Sequence, residues 1–267
     1  MTSIEHSPKD RMEFAAELAK QAGELGMRYF RSFDTLTVES KGHQDMVSEA
    51  DRELELFVRR ELAKDFPQDG IVGEEHAPTA GGSGFTWVID PIDGTANFVS
   101  GIPAWTVVIS CVEHGRTVAG AIHDPSAGET FAACRGGGAF LNGKPIRATS
   151  ATSLTQGSVG TGFSNRRELK NVVEVIRRLF ESGGVFYRNA SGAQMLAYAA
   201  CGRLLGYVEE HMNAWDCLAG LLLVEEAGGI LQPDPRTVLA EGTPIIACGR
   251  GLYDTLHELC REPFNLR

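Results

Sequence analysis

The chain has 267 residues, 43% of them hydrophobic and 22% charged, which suits one large globular unit. Its formal net charge of −10 argues against a nucleic-acid surface, which needs a basic stripe, but not against a phosphorylated ligand accompanied by cations. No stretch approaches the roughly 18–20 apolar residues that span a bilayer, so no membrane association is expected.

The chain starts with MTSIEHSPKDRME, which is polar and has no apolar signal core, so a cytoplasmic location is expected. Residues 9–31 place Met12, Ala15, Leu18, Ala19, Ala22, Leu25, Gly26 and Tyr29 on one helical stripe. Residues 35–40 (TLTVES) read as a strand. Ser48 and Asp51 then have capping-box spacing ahead of the apolar positions Leu54, Phe57, Val58 and Leu62 of a second helix. A short strand over 71–73 precedes Glu74 and a Gly-rich segment, 75–84, that reads as a flexible loop.

Trp87, Val88 and Ile89 form a buried strand that delivers Asp90. Pro91, which has no N–H, stops the ladder there. Asp93, Gly94 and Thr95 follow as a tight turn opening a short helix. Strands over 104–112, 117–123 and 129–134 then suggest an antiparallel meander, with Asn142-Gly143 marking one more hairpin. Small polar residues over 148–158 mark the passage to a second half. Strands there (158–163, 185–189, 204–209, 228–232, 244–249) alternate with helices over 166–182, 192–202 and 215–227. The reading is therefore α/β (or α+β), one catalytic unit over 1–267 with halves 1–148 and 149–267. Six cysteines without CxxC spacing read as buried free thiols, and His123 as a structural histidine.

The chemistry concentrates in acids at element ends beside apolar residues: Glu74, Asp90, Asp93 and Asp216. Several ionised carboxylates in one cleft repel one another, and bound divalent cations remove that conflict. Oxygen-only ligation favours Mg²⁺ over Zn²⁺, and Mg²⁺ readily shares phosphate oxygens. Backbone amides at Gly94 and Thr95 suit a phosphate.

The GEE at 73–75, WVIDPIDGTANF at 87–98, WD at 215–216 and EEAGG at 225–229 resemble the inositol monophosphatase family in order and spacing. The resemblance runs from about residue 10 to 260. It implies a layered αβαβα sandwich like that of inositol monophosphatase and fructose-1,6-bisphosphatase, a homodimer, and a mobile lid over 75–84. It also implies two to three Mg²⁺ ions. Glu74, Asp90 and the Ile92 carbonyl would hold the first, and Asp90, Asp93 and Asp216 the second. A third would sit near Glu74 through water.

By the same resemblance Thr95, oriented by Asp51, handles the attacking water, with Glu74 also catalytic. Asp93, Gly94, Thr95, Ala193 and Glu209 contact the substrate. The implied activity is lithium-sensitive hydrolysis of myo-inositol 1-phosphate or a related polyol phosphate. Alternatives on the same scaffold are a histidinol-phosphate phosphatase, a fructose 1,6-bisphosphatase or a 3′,5′-bisphosphate nucleotidase. A non-enzymatic alternative is a regulator that binds the transcription machinery. His211-Met212-Asn213 replaces a stretch that commonly carries Gly in inositol-specific members, which leaves the substrate open.

Overall fold

Helix α1 (Pro8–Phe30) starts where a cap is available: Ser7 and Asp10 form a reciprocal capping box and Pro8 occupies the first turn. Its buried stripe of Met12, Ala15, Leu18, Ala19 and Ala22 is the one the periodicity marks out. The computed structural model describes residues 6–42, 45–232 and 242–266. Residues 1–5, part of the polar start, lie outside them.

A two-stranded hairpin, β1 (Val38–Gly42) with β2 (Asp45–Ser48), leads into α2 (Glu49–Asp65). The main sheet has seven strands in the order β3 (Gly70–Gly73), β4 (Phe85–Asp93), β5 (Thr106–Glu113), β6 (Arg116–Asp124), β7 (Glu129–Cys134), β8 (Gly138–Leu141) and β9 (Lys144–Pro145). β3 runs parallel to β4, and every later neighbour is antiparallel, as a meander should be. The β8–β9 turn places Asn142 and Gly143 at positive φ, 48° and 76°, which is the hairpin chemistry an Asn-Gly pair supplies.

The second sheet has five strands, in the order β11 (Val185–Tyr187), β10 (Ser158–Thr161), β12 (Gly206–Met212), β14 (Thr243–Cys248) and β13 (Ile230–Gln232). Helices α4 (Leu169–Glu181), α5 (Gly192–Ala200) and α6 (Ala214–Glu226) fall between these strands in sequence. A terminal helix, α7 (Tyr253–Arg261), was not anticipated from the sequence.

Three apolar clusters show how the layers stack. The first joins α1 and α2 to one face of the seven-stranded sheet through Leu18, Leu54, Trp87, Ile109 and Trp105. The second fills the space between the two sheets with α5 and α6, through Val108, Phe131, Leu196, Leu222 and Ile245. The third seals α4 and α7 against the far face of the five-stranded sheet through Val175, Leu179, Val208, Ile246 and Leu256. The result is a five-layer αβαβα sandwich. The helices of the central layer are apolar all round because sheets cover them on both sides. No helix among the described residues is long and apolar enough to cross a membrane.

Two local expectations change. Pro91 does not end its strand: β4 runs on to Asp93 through a bulge, with Asp90 opposite Val108 and Asp93 opposite Thr106. The segment after Glu74 is not loose along its length. Thr79 exchanges both backbone hydrogen bonds with Ile71 (2.9 and 2.8 Å), and the Ser83 hydroxyl donates to Asp69 at 2.6 Å.

Candidate active site

The bulge at Pro91 explains the spacing of the central motif. Residues three apart on a regular strand point to opposite faces, but one extra residue restores them to the same face. Asp90 and Asp93 therefore face the same way, opposite Val108 and Thr106, which are two apart. Gly94 then turns the chain with φ +99°, a left-handed conformation that a side chain would strain, and opens the short helix α3 (Thr95–Phe98).

Two further acids arrive as helix caps. Asp51 is the third residue of α2, and its Oδ2 accepts from the Ser48 amide (2.8 Å) and hydroxyl (2.6 Å). Its Oδ1 accepts from the Thr95 hydroxyl at 3.0 Å. Asp216 is the third residue of α6, and its Oδ2 accepts from the Asn213 amide and side chain, both at 3.1 Å. Each cap spends one oxygen on its helix and presents the other to the site.

Glu74, Asp90 and Asp216 each offer an oxygen within 4.8 Å of the others. Asp90 is 1% exposed, with one oxygen held by the Ile92 amide at 3.0 Å. Its pKa is pushed well above the usual carboxylate range, first by burial and then by Glu74, Asp93 and Asp216. Asp216 is pushed up to about 7, by burial and then by Asp93, while the hydrogen bonds from the Asn213 amide and side chain partly offset this. Without a cation, burial and mutual repulsion therefore disfavour full ionisation of the carboxylates at the floor of the cleft. Three converging carboxylates whose mutual repulsion must be relieved are an all-oxygen donor set of the kind that holds a hard divalent cation.

Asp93 is placed differently. Burial raises its pKa, and the N-terminus of α5 opposes this: the Ser191 hydroxyl, the Ala193 amide (2.9 Å) and the Gly192 amide (3.2 Å) all donate to it. It lines the cleft beside Asp216. The Ile92 carbonyl accepts from the Thr95 hydroxyl at 3.1 Å. Gly94, Thr95 and Glu209 line the adjoining cavity, which shares Asp216 with that cleft and has a volume of about 590 Å³. Glu209 accepts a hydrogen bond from the Tyr207 hydroxyl, and burial pushes it up to about 8. Ala193 is fully buried and meets the site only through its amide. Ala190, Gly192 and Met195 form the wall at that point.

Several supporting residues escaped the sequence reading. Glu55, fully buried on α2, accepts from the Glu75 amide (2.7 Å), the His76 amide (3.2 Å) and Arg59 Nε (2.6 Å). A side chain at Gly73 would strike its carboxylate at 2.1 Å, so the strand end carrying Glu74 rests directly on Glu55. The signal was present: Glu55 lies four residues after Asp51, on the same buried face as Leu54 and Val58. Ser191 carries a helix-cap signature, but its bridge to Asp93 spans 98 residues. Asn97 joins the Ala104 and Asn189 carbonyls at 2.7 Å each, tying the central motif to the loop before α5. Glu225 and Glu226 are structural: the first pairs with Arg135 through two bonds (2.9 and 3.0 Å), and the second caps the amides of Gly136 and Gly138.

With this geometry in place, known proteins give a consistent comparison. The sequence model of the inositol monophosphatase family matches residues 8–262. A Rhizobium meliloti protein named inositol-1-monophosphatase is 38% identical over 213 residues, covering 78% of this chain and 80% of its own. A Pseudomonas aeruginosa protein named Nus factor SuhB is 37% identical over 227 residues, covering 82% and 84%. The solved structure of a Thermotoga maritima IMPase superposes with a TM-score of 0.85 at 32% identity, covering 96% of this chain and 98% of that one.

Proposed function

The chain belongs to the inositol monophosphatase family, and we propose that it is a Mg²⁺-dependent phosphomonoesterase acting on myo-inositol 1-phosphate or a related polyol phosphate. The observation that carries this reading is the convergence of Glu74, Asp90 and Asp216 within 4.8 Å, beside the Asp51–Thr95 hydrogen bond. Glu74, Asp90 and Asp216, with Asp93 and the Ile92 carbonyl at the same cleft, would hold two to three Mg²⁺ ions. When bound, these ions supply Lewis acidity to the phosphate and lower the pKa of water.

The chain's own groups do the rest. The Thr95 hydroxyl points its hydrogen toward Asp51 or the Ile92 carbonyl, which leaves its oxygen free to accept from an attacking water. Asp51, held in place by Ser48 and hydrogen-bonded to the Thr95 hydroxyl, is the carboxylate in reach of that proton through Thr95. Gly94 and Thr95, at the opening of α3, face the phosphate oxygens and keep the reacting groups in line. Glu209, oriented by Tyr207, accepts from hydroxyls of the alcohol portion.

A homodimer and a cytoplasmic location belong to the same proposal. The first is supported by an apolar face on the edge strand β11 and on α4, where Val185, Val173 and Phe180 are each more than half exposed. The second is supported by six cysteines that are all free.

The test is Mg²⁺-dependent phosphate release from inositol 1-phosphate, histidinol phosphate, fructose 1,6-bisphosphate and adenosine 3′,5′-bisphosphate, with lithium as inhibitor. Turnover of at least one, abolished by chelation, is expected. Folded protein that turns over none contradicts the proposal. It would favour the second reading, a regulator of transcription, which the relatives named Nus factor SuhB support.

A further inference from the structure

The loop before α5 is held by a chain of side chains that hydrolysis as described does not use. Its far end is Asp124, the last residue of β6, which is 2% exposed. One oxygen of Asp124 accepts from the Ser126 and Ala127 amides, at 2.9 and 3.0 Å. The other accepts from the side-chain NH₂ of Gln194, a buried residue of α5. The side-chain oxygen of Gln194 accepts in turn from Asn189 Nδ2. Asn189 Oδ1 accepts from the Ser191 amide at 3.1 Å, and Ser191 is the cap from which α5 begins its contacts with Asp93.

The direction of these hydrogen bonds is set at one point. Burial raises the pKa of Asp124, and the three N–H groups that converge on it oppose this. As a carboxylate it only accepts, so Gln194 turns its NH₂ toward Asp124 and its oxygen toward Asn189. Asn189 then turns its own NH₂ toward Gln194, which leaves its oxygen for the Ser191 amide. Reversing any one amide brings two donors or two acceptors face to face, and water cannot relieve such a conflict at the buried Gln194 and Asp124. Asn189 is gripped once more through its backbone carbonyl, which accepts from Asn97 at 2.7 Å. The next residue, Ala190, holds φ at +64°, which a residue with a side chain keeps only where its surroundings fix it.

We propose that Asp124, Gln194 and Asn189 are positioning residues: they form a directional relay that fixes the N-terminus of α5 and, through it, the carboxylate of Asp93 for the cation site. The Ser191 hydroxyl and the Gly192 and Ala193 amides all donate to Asp93, so a shift of that turn carries its oxygens along. None of the three relay residues lines the two cavities at the site, so they act through Asp93 and not on substrate. The inference rests on the hydrolase reading, in which Asp93 helps to hold Mg²⁺, and extends it to residues well behind the cleft.

Reversing the polarity of the whole chain is the test. Asp124→Asn alone, or Asn189→Asp alone, leaves one mismatched contact whichever way Gln194 turns. In the double variant Asp124→Asn/Asn189→Asp, Gln194 can turn over and every link is restored. The new amide at 124 donates to it, and the new carboxylate at 189 accepts from it and from the Ser191 amide. Calorimetric titration of Mg²⁺ into the metal-free full chain is the first readout. Each single variant should bind about tenfold more weakly than wild type, and the double variant should return to within about threefold of it. Losses from disturbed packing alone would add in the double variant instead. The second readout needs no metal: hydrogen exchange at the Ser191 amide should be about tenfold faster in each single variant and slow again in the double. Gln194→Met, which removes both side-chain links at similar volume, should match the single variants and replaces either one if it does not fold. Single variants that leave either readout at its wild-type value, or a double variant no better than its singles, overturn the relay. If wild type binds Mg²⁺ but releases phosphate from no probe, the hydrolase reading fails while both readouts still decide the relay. If wild type binds no Mg²⁺, the cation assignment fails and exchange at Ser191 alone upholds or overturns the relay.

Discussion

On the carboxylate side of the cleft, Asp90 and Asp93 are 1% and 8% exposed, and strand, bulge and helix ends fix their oxygens. On the other side, Arg166 and Arg188 are exposed, sit outside helices and strands, and hold no carboxylate. The first side is rigid and electrostatically frustrated, and burial has shifted its pKa values. The second is open, and there the charge of Arg188 is felt by Glu209 across the cleft. In the proposed function, chemistry falls to the side whose geometry is over-determined, and contact with the variable part of the substrate to the side that can change without disturbing the fold.

The largest test of this contrast is Asp90→Asn. It removes the most repelled charge, so activity should fall by on the order of a thousandfold or more. The metal-free protein should nevertheless melt no lower than the wild type, because a buried charge conflict has gone. A large loss of both would mean that Asp90 is a structural residue.

Glu55→Ala should come next. It strips the Glu75 and His76 amides of their acceptor and leaves Arg59, partly buried, without its carboxylate. A cost of about 3 kcal/mol is expected in denaturant unfolding, together with weaker Mg²⁺ binding. Unchanged metal affinity in the folded variant would show that Glu74 needs no support from below.

A pH effect follows from the same frustration. Burial pushes Asp216 up to about 7 and Glu209 up to about 8 in the folded chain, above the ordinary range for unfolded carboxylates. The folded state then binds more protons, so stability is full below about pH 4 and is lost as pH rises toward 8. Metal-free protein should melt several degrees lower at pH 8 than at pH 5, and Mg²⁺ should narrow that gap; a rising melting temperature would reverse the sign of the argument. The smallest effect is expected at Ala190, whose φ of +64° strains a side chain on the wall of the cleft. Ala190→Gly should stabilise by up to about 1 kcal/mol, measured by thermal melting.

What could be read from the sequence divides along the same line. Asp90, Asp93 and Asp216 announce themselves because acids directly after apolar runs are unusual, and α1, α2 and the meander follow from periodicity and turns. Three things could not be read. The bulge that turns Asp90 and Asp93 to one face depends on pairing with β5. Glu55 shows as an acid on a buried helix face and Ser191 as a helix cap, but the long-range partners that give them their roles leave no local trace. The cationic wall is assembled from the loop at 166, the strand end at 188 and β12 at 211, and no local pattern connects them.

Titration of Mg²⁺ into the metal-free protein at pH 8, followed by calorimetry, tests most directly whether the carboxylates are a cation site. Wild type should bind with release of protons and gain thermal stability, while Asp216→Asn, still folded, should lose most of both. Equal Mg²⁺ uptake and stabilisation in wild type and Asp216→Asn would contradict it.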